Sequence, residues 1–335
     1  MQENETDDLF GLVENTRKKW VAREEKRELN ASQKKKDVLG LYTVSVTAEE
    51  ALLRVLRLEQ DGQLDIELLK SGNEYPTLFT RLPIFIPSQR RTQIESMDVN
   101  TGVSFDCAFG KGVRKGPPLN TFDEDVLMAL IRLRQRRLKG PQTFLPVSEN
   151  KGDEHSEVDH LIVRTRDILN FLDLSTAGVN YERVVTSVKN LAATTIELEK
   201  RLVERYFGEF TKGRSLRLLD LGWCLGDEEG VFEIQFHPLV TSWLVREYTF
   251  VNWNIRSQLS SSIAKTVHRY LSSQGKQHNT ELGRLAKVVG YMGTPKNMRG
   301  KFSLALGELQ DTDYLKAWEI TGTGRAEPFV VKIWR

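Results

Sequence analysis

Between residues 260 and 311 the apolar positions recur at helical spacing in three successive stretches, SSIAKTVHRYLSSQ, TELGRLAKVVGYM and TPKNMRGKFSLALGELQ. Beyond them the spacing changes to the alternation of strands, in YLKAWEITG and EPFVVKIWR. A period near 3.6 argues for helix and a period of two for strand. The C-terminal end therefore reads as three helices followed by a hairpin. In the third stretch Met298, Phe302, Ala305 and Leu309 stand at i, i+4, i+7 and i+11, one buried face of an amphipathic helix. Thr294 is placed to cap that helix, and Pro295 falls at its first position, where a missing N–H costs nothing.

Three helices and a hairpin are the order of a winged helix-turn-helix. The face opposite the apolar one carries Lys296, Asn297, Arg299, Gly300, Lys301 and Ser303. In such motifs the N-terminal residues of the recognition helix reach base edges in the major groove, and Arg, Lys and Asn supply the donors. Gly293 suits the tight turn before it. Lys296, Asn297, Arg299 and Lys301 are therefore the candidate DNA contacts, with an ordinary solvated face as the other reading. Charge favours DNA: residues 238–335 hold fourteen Lys and Arg against seven Asp and Glu, a net of +7 in a chain whose total is +2.

A similar series precedes it. TFDEDVLMALIRLRQRRL reads as a helix capped by Asn120 or Thr121, with Val126, Leu127, Leu130, Ile131 and Leu138 inward. RTRDILNFLDL and NYERVVTSVKNLAATTIEL follow as helices, the latter running into a strand, and SLRLLDLGWCLG and GVFEIQFH as β-runs. LPIFIP and VSFDCAF read as a strand pair ahead of them, and TFLPV as one more strand. This predicts a second winged helix with a longer wing. Its recognition helix buries Val184, Val188 and Leu191 and presents Arg183, Thr186, Lys189 and Asn190, with Tyr181 near its start placed to stack on a sugar or contact a phosphate of the DNA. A packed helix without DNA contact is equally compatible, because residues 37–237 hold twenty-five basic against thirty-one acidic residues. Binding here is expected to be the weaker or more position-specific of the two. Further on, PLVTSWLVRE reads as a connecting helix and FVNWNI as a strand, with Trp243, Phe250 and Trp253 in packing roles and His268 on a helix surface or partly buried.

The expected fold is thus α+β: a charged flexible tail over residues 1–37, a small helical and strand segment over 38–77, and winged-helix domains over 78–237 and 238–335. Residues 17–36 hold nine basic and three acidic residues, compatible with a solvated tail or with contact to nucleic acid. Within the tail, TDDLF places Leu9 and Phe10 behind an acidic tip, the form of a short docking peptide. In the next segment Thr47 and Glu50 form a capping-box pattern. No apolar run is long enough to span a membrane, the first residues lack the pattern of a signal peptide, and two cysteines exclude a disulfide scaffold. A cytoplasmic protein is expected.

Chemistry of catalysis is sparse. No phosphate-binding GxxxxGK[ST] loop is present, so no nucleotide cofactor is expected. His155, Asp159 and His160 fall in one polar stretch, DEHSEVDH, which could hold a divalent metal for a nuclease but has no second ligand motif. A surface loop is the expectation, with no metal and no enzymatic activity.

Taken together, FDEDVLMALIRL, GVNYERVVTSVKNLAATTIEL, FHPLVTSWL and the run from Ser260 to Gln310 resemble plasmid replication initiators of the TrfA type, over roughly residues 103–318. The resemblance implies binding to repeated double-stranded origin DNA (iterons), melting of an adjacent AT-rich region with contact to the exposed single strand, and recruitment of host helicase and sliding clamp. It implies one recognition helix in each of two major grooves, through Arg183, Thr186, Lys189 and Asn190 in one domain and Lys296, Asn297, Arg299 and Lys301 in the other. Leu9 and Phe10 match the end of the clamp-binding peptide of such initiators, whereas Thr6 replaces its Gln. Regulation by a homodimer is also implied, with the Leu41 to Leu82 region and the strand around Phe105 as candidate interfaces. A tandem winged-helix transcriptional repressor would use the same DNA-binding residues.

Overall fold

Helix α2, Thr121–Lys139, is apolar on every side in its middle, and Val126 through Ile131 are all fully buried. Such a helix belongs inside a core rather than on it. The computed structural model describes residues 72–88, 102–139, 160–199, 213–223, 230–237, 240, 243–244, 248–324 and 327–335, and in it α2 is the centre of the first of two hydrophobic cores. Asn120 caps the helix: its side-chain oxygen accepts from the N–H groups of Phe122 and Asp123, while Asp123 accepts from the Asn120 N–H in return.

The protein mixes helices and antiparallel strands. In chain order the remaining elements are β1 Gly72–Pro76, α1 Thr77–Arg81, β2 Val103–Cys107, β3 Gly110–Lys115, β4 His160–Arg164, α3 Thr165–Phe171, α4 Gly178–Ala193, β5 Thr195–Glu199, β6 Gly213–Arg217, β7 Leu219–Trp223, β8 Val231–Phe236, β9 Tyr248–Asn252, α5 Trp253–Gln258, α6 Ser262–Ser272, β10 Gln277–Glu281, α7 Leu282–Val289, α8 Pro295–Asp311, β11 Ala317–Thr321 and β12 Val330–Trp334. The first core draws on residues from Tyr75 to Val251 and the second on residues from Leu259 to Ile333. Val240, Trp243 and Leu244, beyond the expected boundary at residue 237, pack in the first core, with Trp243 edge-on to Phe79 at 5.5 Å.

One topology occurs twice. The first unit runs α2, β4, α3, α4, β7, β8 with sheet order β4-β8-β7; the second runs α6, β10, α7, α8, β11, β12 with sheet order β10-β12-β11. The joints match as well. The N–H that opens α3, from Thr165, donates to the carbonyl of Gly230 just before β8 (2.7 Å), and the N–H that opens α7, from Leu282, donates to the carbonyl of Phe329 just before β12 (2.8 Å). The first unit differs by an insertion: β5 and β6 lie between α4 and β7 and join β2 and β3 in a four-stranded sheet ordered β2-β3-β5-β6.

Several expectations are corrected. LPIFIP forms no strand: its residues follow α1 and make a single bridge, Ile86 to Asn120, because Pro83 and Pro87 remove two ladder donors. The partner of β2 is instead β3, GKGVRK. SLRLLDLGW is two strands in two sheets, divided at Leu218. FVNWNI ends β9 at Asn252 and continues as α5, because the Asn252 side chain accepts from the Ile255 N–H and starts a helix. Thr294 stands in the cap position of α8 with extended backbone, but its side chain makes no capping bond. The left-handed residue of the turn before α8 is Gly290 (φ 75°) rather than Gly293, beside which a β-carbon would collide with the Tyr291 ring.

Candidate nucleic-acid interface

Helix α8 buries Phe302, Ala305, Leu306 and Leu309, with Met298 half-buried against the same core. That fixes its outward row. Lys296, Asn297, Arg299, Gly300 and Lys301 are all exposed in the first turns, and Ser303 is half-buried. Lys296 and Lys301 make no ion pair among the described residues. The Arg299 guanidinium sits 5.3 Å from the centre of the Phe329 ring, so it bridges the helix to the β11–β12 hairpin. Gly300 faces open space. Leu304 is 73% exposed, seven residues and two turns beyond Asn297 on the same outward row, and Met292 in the preceding turn is 56% exposed. The signal for Leu304 lies in the spacing: its place two residues from buried Phe302 puts it on the far side of the helix. A row of donors followed by an exposed aliphatic group suits base edges and a thymine methyl.

Helix α4 has the same burial register. Val184, Val188 and Leu191 are spaced as Phe302, Leu306 and Leu309 are, which places Tyr181 at the position of Arg299, Glu182 at Gly300, Arg183 at Lys301 and Thr186 at Leu304. Its side chains are more engaged with their own unit. The Arg183 guanidinium lies 3.7 Å from the centre of the Phe122 ring. Tyr181 is half-buried, its hydroxyl so close to Gly230 that a β-carbon there would collide with it. The Thr186 hydroxyl donates to the Glu182 carbonyl at 2.7 Å. Lys189 is exposed and Asn190 half-buried, and both have partners within the molecule. Of the predicted contacts in α4, then, Arg183 is exposed with its guanidinium over the Phe122 ring, and Tyr181 is half-buried against the Gly230 turn.

The remaining sequence candidates fall elsewhere. Leu9 and Phe10 lie outside the described residues, as do His155, Asp159, the TFLPV run and the Thr47–Glu50 pattern. His160 opens β4. Leu82 is buried in the first core and cannot serve as an exposed interface, whereas β2, with Phe105, is an edge strand of its sheet. His268 is fully buried rather than on a helix surface or partly buried: it packs edge-on to Tyr314 at 4.5 Å, and neither ring nitrogen has a hydrogen-bond partner among the described residues. Burial first, then the nearby Arg256 and Arg335 charges, hold its pKa well below the usual histidine value. No helix among the described residues is long and apolar enough to cross a membrane.

The two units meet at a buried charge cluster between α2 and α6. Glu124 accepts from Arg256 (2.8 Å), Arg269 (3.1 Å) and the Tyr75 hydroxyl (3.0 Å), and Asp125 accepts from Arg256 (2.6 Å) and Lys265 (2.7 Å). Burial alone would lower the Arg256 pKa; the Asp125 and Glu124 carboxylates overcome it and raise it. Burial, followed by the Glu124 charge, pushes Tyr75 well above the usual phenol.

No protein-family model and no curated protein matches the sequence. Among solved structures, a selenomethionine derivative of domains 2 and 3 of RctB matches with a TM-score of 0.50 and 12% identity, over 77% of this chain and 98% of that chain. A second crystal structure of RctB domains 2–3 matches with a TM-score of 0.44 and 12% identity, over 77% and 97% of the two chains. The Pi initiator protein, crystallised in complex with iteron DNA, matches with a TM-score of 0.40 and 14% identity, over 67% and 96%. The first of these likenesses identifies the fold of this chain as that of RctB domains 2 and 3.

Proposed function

We propose that this chain is a sequence-specific double-stranded DNA-binding protein built from two tandem winged helices, and that it acts as a replication initiator at origin repeats. The observation that carries the reading is the repeated topology, with an exposed cationic row on the first turns of α8 at the place where a helix-turn-helix meets the major groove. In this reading Lys296, Asn297, Arg299 and Lys301 contact bases and phosphates, with β11–β12 as the wing. Arg183, Thr186, Lys189 and Asn190 in α4 make the weaker or more position-specific second contact, with Tyr181 against a sugar or phosphate. The TrfA-type resemblance adds the finer part: melting of an adjacent AT-rich segment, contact with the resulting single strand, recruitment of host helicase, and sliding-clamp binding through Leu9 and Phe10. No chemical step by the protein is required, since binding energy and a recruited helicase open the strands.

The test is a footprint of the purified protein on the DNA flanking its own gene, beside an Arg183→Ala, Arg299→Ala double variant. Several evenly spaced protected repeats, lost in the variant, are the expected result. One protected site over the promoter would make the chain a repressor, and no protection would end the DNA-binding reading.

A further inference from the structure

The charge cluster between the units does more than fill space. Glu124 and Asp125 lie in the first turn and a half of α2, the opening helix of the first unit. Lys265 and Arg269 are one turn apart on α6, the opening helix of the second, and Arg256 comes from α5 just before it. The side chains of Glu124, Arg256 and Arg269 are 0% exposed, that of Asp125 is 7% and that of Lys265 is 20%. Every carboxylate oxygen is occupied. Glu124 Oε1 takes Tyr75 and Arg269, Glu124 Oε2 and Asp125 Oδ1 take the two prongs of Arg256, and Asp125 Oδ2 takes Lys265. The third nitrogen of Arg256 donates to the Lys265 carbonyl at 3.0 Å.

Buried ion pairs contribute little net stability, because desolvation cancels most of the attraction, but they tolerate few geometries. A planar guanidinium bridging two carboxylates fixes angles as well as distances. A second, smaller contact acts in the same sense: Arg81 donates to Ser273 in α6's C-cap and lies over Phe109, whose ring meets Tyr270 edge-on at 6.0 Å.

We infer that Glu124, Asp125, Arg256, Lys265 and Arg269 are positioning residues that hold the two units in one fixed relation, so that α4 and α8 are presented at a single spacing and angle. The geometric statement stands on the contacts alone; its consequence for DNA rests on the function proposed above. On that reading the partner is a duplex with two half-sites in fixed register, and one inserted base pair, which turns one half-site by about 35° and moves it about 3.4 Å, breaks simultaneous engagement.

Two measurements test this in the full chain. Spin labels at Glu182→Cys and Leu304→Cys, in a Cys107→Ser, Cys224→Ser background, report the α4 to α8 distance. The expected result is one narrow distribution that broadens in a Lys265→Met, Arg269→Met variant, which leaves Glu124 and Asp125 still joined to Arg256. Arg269→Met alone, expected to broaden it less, stands in where the double variant fails to fold. A broad distribution in the parent, or an equally narrow one in a folded variant, overturns the proposal. The second measurement is affinity for a duplex selected from random sequence, with and without one inserted base pair between the protected halves. The parent is expected to lose at least about tenfold on insertion and the double variant no more than about threefold. A folded variant that keeps the parent's penalty overturns the positioning role, whereas a parent that selects no duplex overturns the DNA-binding reading and leaves the distance result to decide the geometry.

Discussion

The two units solve one packing problem in opposite ways at the joint between helix and hairpin. In the first, a large aromatic on the helix, Tyr181, rests on a glycine before the last strand, Gly230, which has φ 81° and is held by Thr165 through both its N–H and its hydroxyl. In the second, the equivalent helix residue is Arg299 and the residue before the last strand is Phe329, so the ring sits on the hairpin and the charge on the helix. The same exchange runs along the outward row, where Glu182 and Thr186 stand opposite Gly300 and Leu304. On α4 the exposed Arg183 lies over Phe122 and Thr186 bonds back to Glu182, whereas on α8 Lys296 and Lys301 make no ion pair among the described residues. A shared backbone topology therefore does not imply shared recognition; function lives in the side chains set on it.

The difference can be broken or sharpened experimentally. The largest effect is expected where the units join. Arg256→Met removes the bridge between Glu124 and Asp125 and leaves buried carboxylates under-paired, a loss of about 3 to 5 kcal/mol in denaturant unfolding; an unchanged midpoint would mean that the cluster is solvated in solution. Gly230→Ala comes next. It forces a β-carbon into Tyr181 at a left-handed position, and an unfolding cost of about 1 to 3 kcal/mol is expected, confined to the first unit. On DNA the order reverses. Arg299→Ala should cost about 1 to 3 kcal/mol of binding and relax one base position, while Arg183→Ala should weaken packing on Phe122 more than binding; equal binding losses would erase the asymmetry between the helices.

Protonation offers a smaller, graded test of the second unit. Because the folded pKa of His268 is depressed, the unfolded state binds its proton first as pH falls. Stability is full above the ordinary histidine pKa and is lost below it, with a limiting slope of about 1.4 kcal/mol per pH unit. His278, also lowered by burial, adds in the same direction. His268→Leu should flatten the profile between pH 7 and 5, read by thermal unfolding across that range, and a profile as steep as the parent's would exclude His268 as the source. The smallest effect belongs to Gly300. Alanine there meets no neighbouring atom and should raise stability by about 0.5 to 1 kcal/mol through helix propensity.

What was legible in the sequence follows a physical divide. The helices α4, α6, α7 and α8 are legible from spacing because each carries an apolar stripe, and α2 from its unbroken apolar middle behind a cap; both are local properties of the chain. The strands β3 and β10 are not legible, since GKGVRK and QHNTE carry no alternating apolar signal; both exist because a partner strand offers a ladder. Arg183 is outward as the spacing predicts, but nothing in NYERVVTSVKN announces that its guanidinium lies over Phe122, sixty-one residues earlier.

By itself the sequence determined the elements with helical or alternating periods, the faces they bury, and the concentration of positive charge in the last hundred residues. Only the tertiary structure decided that β1 pairs with β9, that β5 and β6 leave the hairpin for another sheet, that Leu304 stays exposed, and that Glu124 and Asp125 meet Arg256, Lys265 and Arg269. Periodicity is written by neighbours three or four residues apart, whereas the β1–β9 ladder and the ion pairs of Glu124 and Asp125 join residues more than one hundred apart. Their energy depends on desolvation and on geometry that exist only once both cores have formed.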